Sequence, residues 1–118
     1  MIFQLDTAAD TTIGIATLPV RIDATNCKEL QKAFSLWLQD SANIVFDCSA
    51  LDFIDSSGLG AIVSCLRKAL EQKGDLRLAA LGPKVSLIFE LTKAKQLFSI
   101  YPDAASAVTS FNAVAAMQ

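Results

Sequence analysis

The chain has 118 residues, a net charge of −2 and 53% hydrophobic against 19% charged residues. That is enough for one core and a compact chain, which excludes a disordered segment and a two-domain enzyme. The ten basic residues are scattered, which argues against nucleic acid, and there is no histidine, which removes the usual general base and the commonest zinc ligand.

In chain order, Ile2–Leu5 and Thr12–Leu18 read as strands joined by a polar turn at Asp6–Asp10, with Pro19 closing the second. A helix is expected from about Ala24 to Gln39, with Cys27, Leu30, Phe34, Trp37 and Leu38 on one face. Ile44–Cys48 is an apolar, β-favouring run. From Leu59 a helical stripe follows (Ile62, Val63, Leu66, Ala69, Leu70), which predicts a helix over Ser57–Gln72 with Lys73-Gly74 as its C-terminal stop. Leu76, Leu78 and Ala80 alternate as a strand, and Gly82-Pro83 opens a third helix. Phe98–Tyr101 is a short last strand, and Asp103 caps a final helix bearing Ala104, Val108, Phe111 and Ala115. Strands alternating with helices predict an α/β fold: a single domain over residues 1–118, with a mixed, mainly parallel sheet behind an N-terminal hairpin and about four helices. The pattern does not give the sheet order.

No apolar run reaches the roughly 20 residues that span a bilayer, and the N-terminus lacks the basic-then-apolar order of a secretory signal. Cys27, Cys48 and Cys65 are odd in number, without CxxC spacing, and read as reduced thiols, two of them in apolar patterns. A cytoplasmic chain with no membrane contact, metal or cofactor is expected.

The candidate site is Asp55-Ser56-Ser57-Gly58-Leu59, where a strand gives way to a helix. Free N–H groups and the helix dipole favour negative charge there, so a serine is either a cap or a seat for a phosphoryl group. Asp23 reads equally as the N-cap of the Ala24–Gln39 helix. Gly58 and Gly60 permit close approach, either of helix to sheet or of a partner. Gly58-x-Gly60 is not a dinucleotide fingerprint, because the third glycine position is Val63. With no histidine and no GxSxG elbow, enzyme activity is not expected.

DFIDSSGLGAIV resembles the signature of the STAS domain, and the rest of the chain is similar in order: Val20–Ala24, Leu81–Leu91 and Leu97–Ala107. Two positions depart from the family pattern: Val20 and Lys93-Ala94 stand where glycine and Gly-Leu are usual. The likeness is to stand-alone anti-sigma-factor antagonists. It implies a phosphate acceptor at Ser56, with Ser57 as fallback, and a partner surface of Asp23, Asp55, Ser57, Gly58 and Leu59. It also implies as partners an anti-sigma factor with serine kinase activity, which would bring its own ATP, and a PP2C-type phosphatase. The competing class is a constitutive STAS-like subunit of an ABC-type lipid transport complex, or a stressosome-type scaffold. Phe98, Ile100 and Tyr101 are candidates for a weak homodimer contact.

Overall fold

The computed structural model describes residues 1–7 and 11–116, with the side chains of 113–116 outside that description. The elements are β1 (Ile2–Asp6), β2 (Ile13–Thr17), β3 (Arg21–Ile22), α1 (Cys27–Trp37), β4 (Asn43–Asp47), β5 (Phe53–Ile54), α2 (Ser56–Glu71), β6 (Asp75–Ala79), α3 (Pro83–Leu91), a 3-10 turn at Ala94–Gln96, β7 (Ile100–Tyr101) and α4 (Ala104–Ala116). Most of the expected turn Asp6–Asp10, and the side chain of Ala115, fall outside the described residues.

Five strands form one sheet in the order β1-β2-β4-β6-β7. β1 pairs antiparallel with β2, and the other pairings are parallel. β4 lies at the centre, where an unbroken apolar run is what two covered faces require. Its Ile44 and Phe46 face α1, α2 and α3, while Val45 packs against Val108 and Phe111 of α4 on the opposite face. Around Phe46, Phe34 and Trp37 meet edge to face, and Phe3 of β1 stacks on Trp37 at 5.0 Å. Gly14 on β2 makes room for that stack, since a Cβ there would lie 2.6 Å from the Phe3 ring.

The C-terminal stop of α2 differs in detail from the expectation. Lys73, not Gly74, takes the left-handed conformation (φ 63°). Its N–H donates to Leu70 and that of Gly74 to Ala69, the two bonds of a Schellman turn. Gly74 is required for space instead, because a Cβ would meet the Ala42 carbonyl oxygen at 1.8 Å. Lys93, at the second departure from the family pattern, is also left-handed (φ 63°), so the turn is kept with a lysine in it.

Phe98 is buried and Ile100 and Tyr101 are half-buried, so Phe98 is not available for the homodimer contact expected of these three residues. Phe98 is instead a core residue, in edge contact with Phe89. Cys48 and Cys65 are buried, and burial pushes both thiols up to about 12, whereas Cys27 is half-buried. No helix among the described residues is long and apolar enough to cross a membrane.

Candidate functional site

A two-residue parallel ladder, separate from the main sheet, builds the site. Arg21 pairs with Phe53 and Ile22 with Ile54. The Val20 carbonyl accepts from the N–H groups of Asp52 (2.8 Å) and Phe53 (3.1 Å), and the Ile22 carbonyl from that of Asp55 (3.4 Å). Both strands therefore end together, which brings Asp23 and Asp55 to one end of the molecule.

Asp55 is the N-cap of α2, in extended backbone, and its Oδ1 accepts from the Gly58 N–H at 2.8 Å. Its Oδ2 accepts from the Ala24 N–H at 3.2 Å, across a sequence separation of 31 residues. One carboxylate thus closes the helix end and clasps the turn before α1. Ser56 and Ser57 are the first two residues of α2 and both are exposed. Neither hydroxyl has a hydrogen-bond partner among the described residues. The capping role that the sequence leaves open to a serine falls to Asp55.

Gly58 is buried, and a Cβ on it would sit 2.2 Å from the Ile22 carbonyl oxygen. Only glycine lets the first turn of α2 seat on β3. Leu59 is half-buried and packs on the core. These two residues of the expected partner surface hold the site in place from beneath, and Asp23, Asp55, Ser56 and Ser57 converge above them. Gly60 is exposed, and a Cβ on it would have no neighbouring atom within 4 Å.

Asp23 does not cap a helix starting at Ala24. Residues 24–26 form a hydrogen-bonded turn, and α1 starts at Cys27 behind Asn26, which makes no side-chain cap bond. The Asp23 carbonyl accepts from the N–H groups of Asn26 and Cys27. Its carboxylate, 12% exposed, accepts from the Thr25 N–H (2.9 Å), the Thr25 hydroxyl and Arg21 Nε (3.1 Å). The Thr25 hydroxyl and N–H, with Arg21 behind them, hold the Asp23 carboxyl below the usual carboxylate range against the opposing effect of burial. Asn26 braces the turn by accepting from the Asp23 N–H (2.9 Å) and donating to the Arg21 carbonyl (2.8 Å).

Thr25, Asn26, Arg21 and Phe53 are the members of this constellation that the sequence reading misses. The Asp-x-Thr spacing of Asp23 and Thr25 is a usable sign of a local side-chain turn. The Arg21 guanidinium lies 4.3 Å from the centre of the Phe53 ring. With Val20, 58% exposed, and Phe53, 42% exposed, it forms an apolar and cationic rim beside the two serines' turn. Chemically the site offers an unengaged serine hydroxyl at a helix N-terminus, flanked by two carboxylates already committed to holding the turns. Among the described residues no side chain is hydrogen-bonded to that hydroxyl.

A family model described as the STAS domain matches residues 4–107. The Bordetella bronchiseptica protein BtrV, provisionally named an anti-sigma factor antagonist, is 24% identical over 98 residues, 82% of this chain and 84% of BtrV. Among solved structures, the Thermotoga maritima protein TM1081, provisionally described in the same terms, aligns with a TM-score of 0.75 at 24% identity, covering 92% of each chain. SpoIIAA, an anti-sigma factor antagonist, aligns in its unphosphorylated form with a TM-score of 0.75 at 19% identity, covering 95% of this chain and 97% of its own. The phosphorylated form of SpoIIAA from Bacillus aligns with a TM-score of 0.63 at 18% identity, covering 93% and 99%. The likenesses to solved structures are of fold.

Proposed function

We propose that this chain, which belongs to the STAS domain family, is an anti-sigma-factor antagonist whose partner binding is switched by phosphorylation of Ser56. The observation that carries the reading is the Ser56 hydroxyl: exposed at the first position of α2 and released from capping because Asp55 does that work. A kinase can reach such a hydroxyl without unfolding anything. The names of the relatives support the antagonist role, and the existence of SpoIIAA in a phosphorylated form supports a switch on this fold.

In this reading the unphosphorylated chain binds, in the cytoplasm, an anti-sigma factor that is also a serine kinase. That partner transfers the γ-phosphoryl group of its own ATP to Ser56 Oγ. The Oγ–P bond forms, the bond to ADP breaks, and the hydroxyl proton leaves with the partner's base or solvent. The product adds about −1.5 to −2 charge at the end of α2. Free N–H groups and the helix dipole accommodate it locally, so the fold survives. The same charge, next to the carboxylates of Asp55 and Asp23, turns the docking face strongly anionic. A loss of about 3 kcal/mol in binding is roughly a hundredfold in affinity. A PP2C-type phosphatase restores the hydroxyl, and the chain itself catalyses nothing.

The test is intact-mass and peptide mass spectrometry of the chain recovered from its native cells, growing and stressed. The expected result is a phosphoryl group on Ser56 whose occupancy changes with condition and which is absent in Ser56→Ala. A chain unmodified in every condition overturns the switch and leaves a constitutive STAS-type subunit. Modification at Ser57 alone moves the acceptor by one residue.

A further inference from the structure

The sheet has two edges, and they are not alike. β7 is only two residues long and runs into Pro102. β1 is five residues long, pairs with β2 along its whole length, and is uncovered on its other side among the described residues. It contains no lysine, arginine or proline, which often block pairing at a sheet edge, and its one charged residue, Asp6, stands at its end. Ile2 is 63% and Leu5 46% exposed.

Apolar surface continues from this edge onto both layers. On one face Phe3 stacks on Trp37, and Leu36 of α1 stands 62% exposed. Leu36, two residues beyond the buried Phe34, stands on the outer side of α1, away from the sheet. On the opposite face an open groove of about 430 Å³ runs between the hairpin and α4, lined in part by Asp6, Ile15, Ala104 and Val108.

We propose that β1 is a self-association edge at which two copies of this chain pair antiparallel about a two-fold axis normal to the sheet. The occupant follows from register. Such an axis keeps the two faces of the sheet in common, so each residue opposes one of like parity. Pairing all of β1 places Gln4 on the axis. Phe3 then opposes Leu5 of the second copy, twice, on the α1 face beside Trp37. On the α4 face Ile2 of the second copy stands opposite Asp6, at the mouth of the Ile15–Val108 groove. On the α1 face the exposed Leu5 of each copy thus meets the Phe3–Trp37 stack of the other, while on the α4 face the contacts are Gln4 with Gln4 and Ile2 with Asp6. Backbone bonds along one short strand with a few apolar contacts form a small interface, below about 1,200 Å², and its dissociation constant is on the order of tens of micromolar.

Sedimentation velocity from low micromolar to several hundred micromolar protein tests this. A concentration-dependent dimer is expected, weakened about tenfold or more by Ile2→Asp, which sets a second carboxylate opposite Asp6, and by Leu5→Lys. Ile100→Lys, on the β7 edge, leaves it intact. In a Cys27→Ser background, Gln4→Cys joins two copies through a disulfide under mild oxidation, which reports the register even if a lysine variant folds poorly. A monomer at every concentration, or a dimer indifferent to β1 and broken by Ile100→Lys, overturns the proposal. A β1-dependent dimer in which Gln4→Cys fails to cross-link overturns the register.

Discussion

Two glycines in α2, two residues apart, respond to alanine in opposite directions. At Gly58 the new Cβ falls 2.2 Å from the Ile22 carbonyl oxygen, 2.8 Å from its carbon and 2.9 Å from Ile22 Cγ2. Two of those atoms are backbone, and the backbone is held in the β3–β5 ladder. Relief requires α2 to retreat by about 1 Å or β3 to shift, and overpacking of this kind costs about 1–3 kcal/mol. The retreat also stretches the Gly58 N–H to Asp55 cap bond, worth about 1 kcal/mol. Against this stands the roughly 1 kcal/mol by which alanine is the better helix former. The net expectation for Gly58→Ala is a loss of about 1–3 kcal/mol. Gly60→Ala meets no atom within 4 Å and keeps the propensity gain, so it stabilises by about 0.5–1 kcal/mol. Urea unfolding followed through the single tryptophan, Trp37, gives both values from shifts in midpoint at constant slope. Gly58→Ala within 0.5 kcal/mol of the parent, taken as a rough limit of surface effects, or both variants moving the same way, refutes the packing argument.

Asp55→Ala removes the cap and the clasp together and is expected to cost about 1–2 kcal/mol, with faster amide exchange at both Gly58 and Ala24. Exchange that rises at Gly58 alone shows that the Ala24 bond contributes nothing. Lys93→Gly relieves a left-handed lysine and is expected to stabilise by about 1 kcal/mol, read from thermal or urea unfolding; a destabilised variant contradicts the assigned turn. For pH, the folded Asp23 carboxyl lies below its unfolded value, so its contribution to stability is complete above the unfolded value and is lost as pH falls through the folded one. Thr25→Val, which removes the main cause of that lowering, is expected to flatten the acid limb of the stability profile. An unchanged acid limb assigns the lowering elsewhere.

The α/β order is legible because β4 is a continuous apolar run and the helices carry their stripes at helical spacing. Leu30, Phe34 and Leu38 are buried as that spacing predicts. The β3–β5 ladder is not legible, since two residues per strand give no period to detect and its pairing depends on residues 32 positions apart. Sequence places the start of α1 a turn early because Asp23 is a good capping residue by type, while Thr25 and Arg21 compete for its carboxylate. The left-handed lysines at 73 and 93 are hidden for the same reason: turn geometry is imposed by the packed elements on either side, against residue preference. The acidic turn and the serine pair are visible as motifs, but which of Asp55, Ser56 and Ser57 caps the helix is decided only by the hydrogen bonds of the folded chain.

The separation of the β3–β5 ladder from the five-stranded sheet has a dynamic consequence. β4, covered on both faces, belongs to the unit that opens only when the whole domain unfolds. Ile22 and Ile54 are buried in the same core as β4, but the exposed ends of the ladder, at Val20–Arg21 and Asp52–Phe53, can open while that unit stays intact. Hydrogen exchange should therefore divide the molecule into a slow body around β4, to which Ile22, Ile54 and Gly58 belong, and a faster collar at the exposed residues Arg21, Ala24, Asp52 and Phe53. A partner that grips the collar would slow its exchange without changing that of the body, so occupancy of the site becomes readable amide by amide.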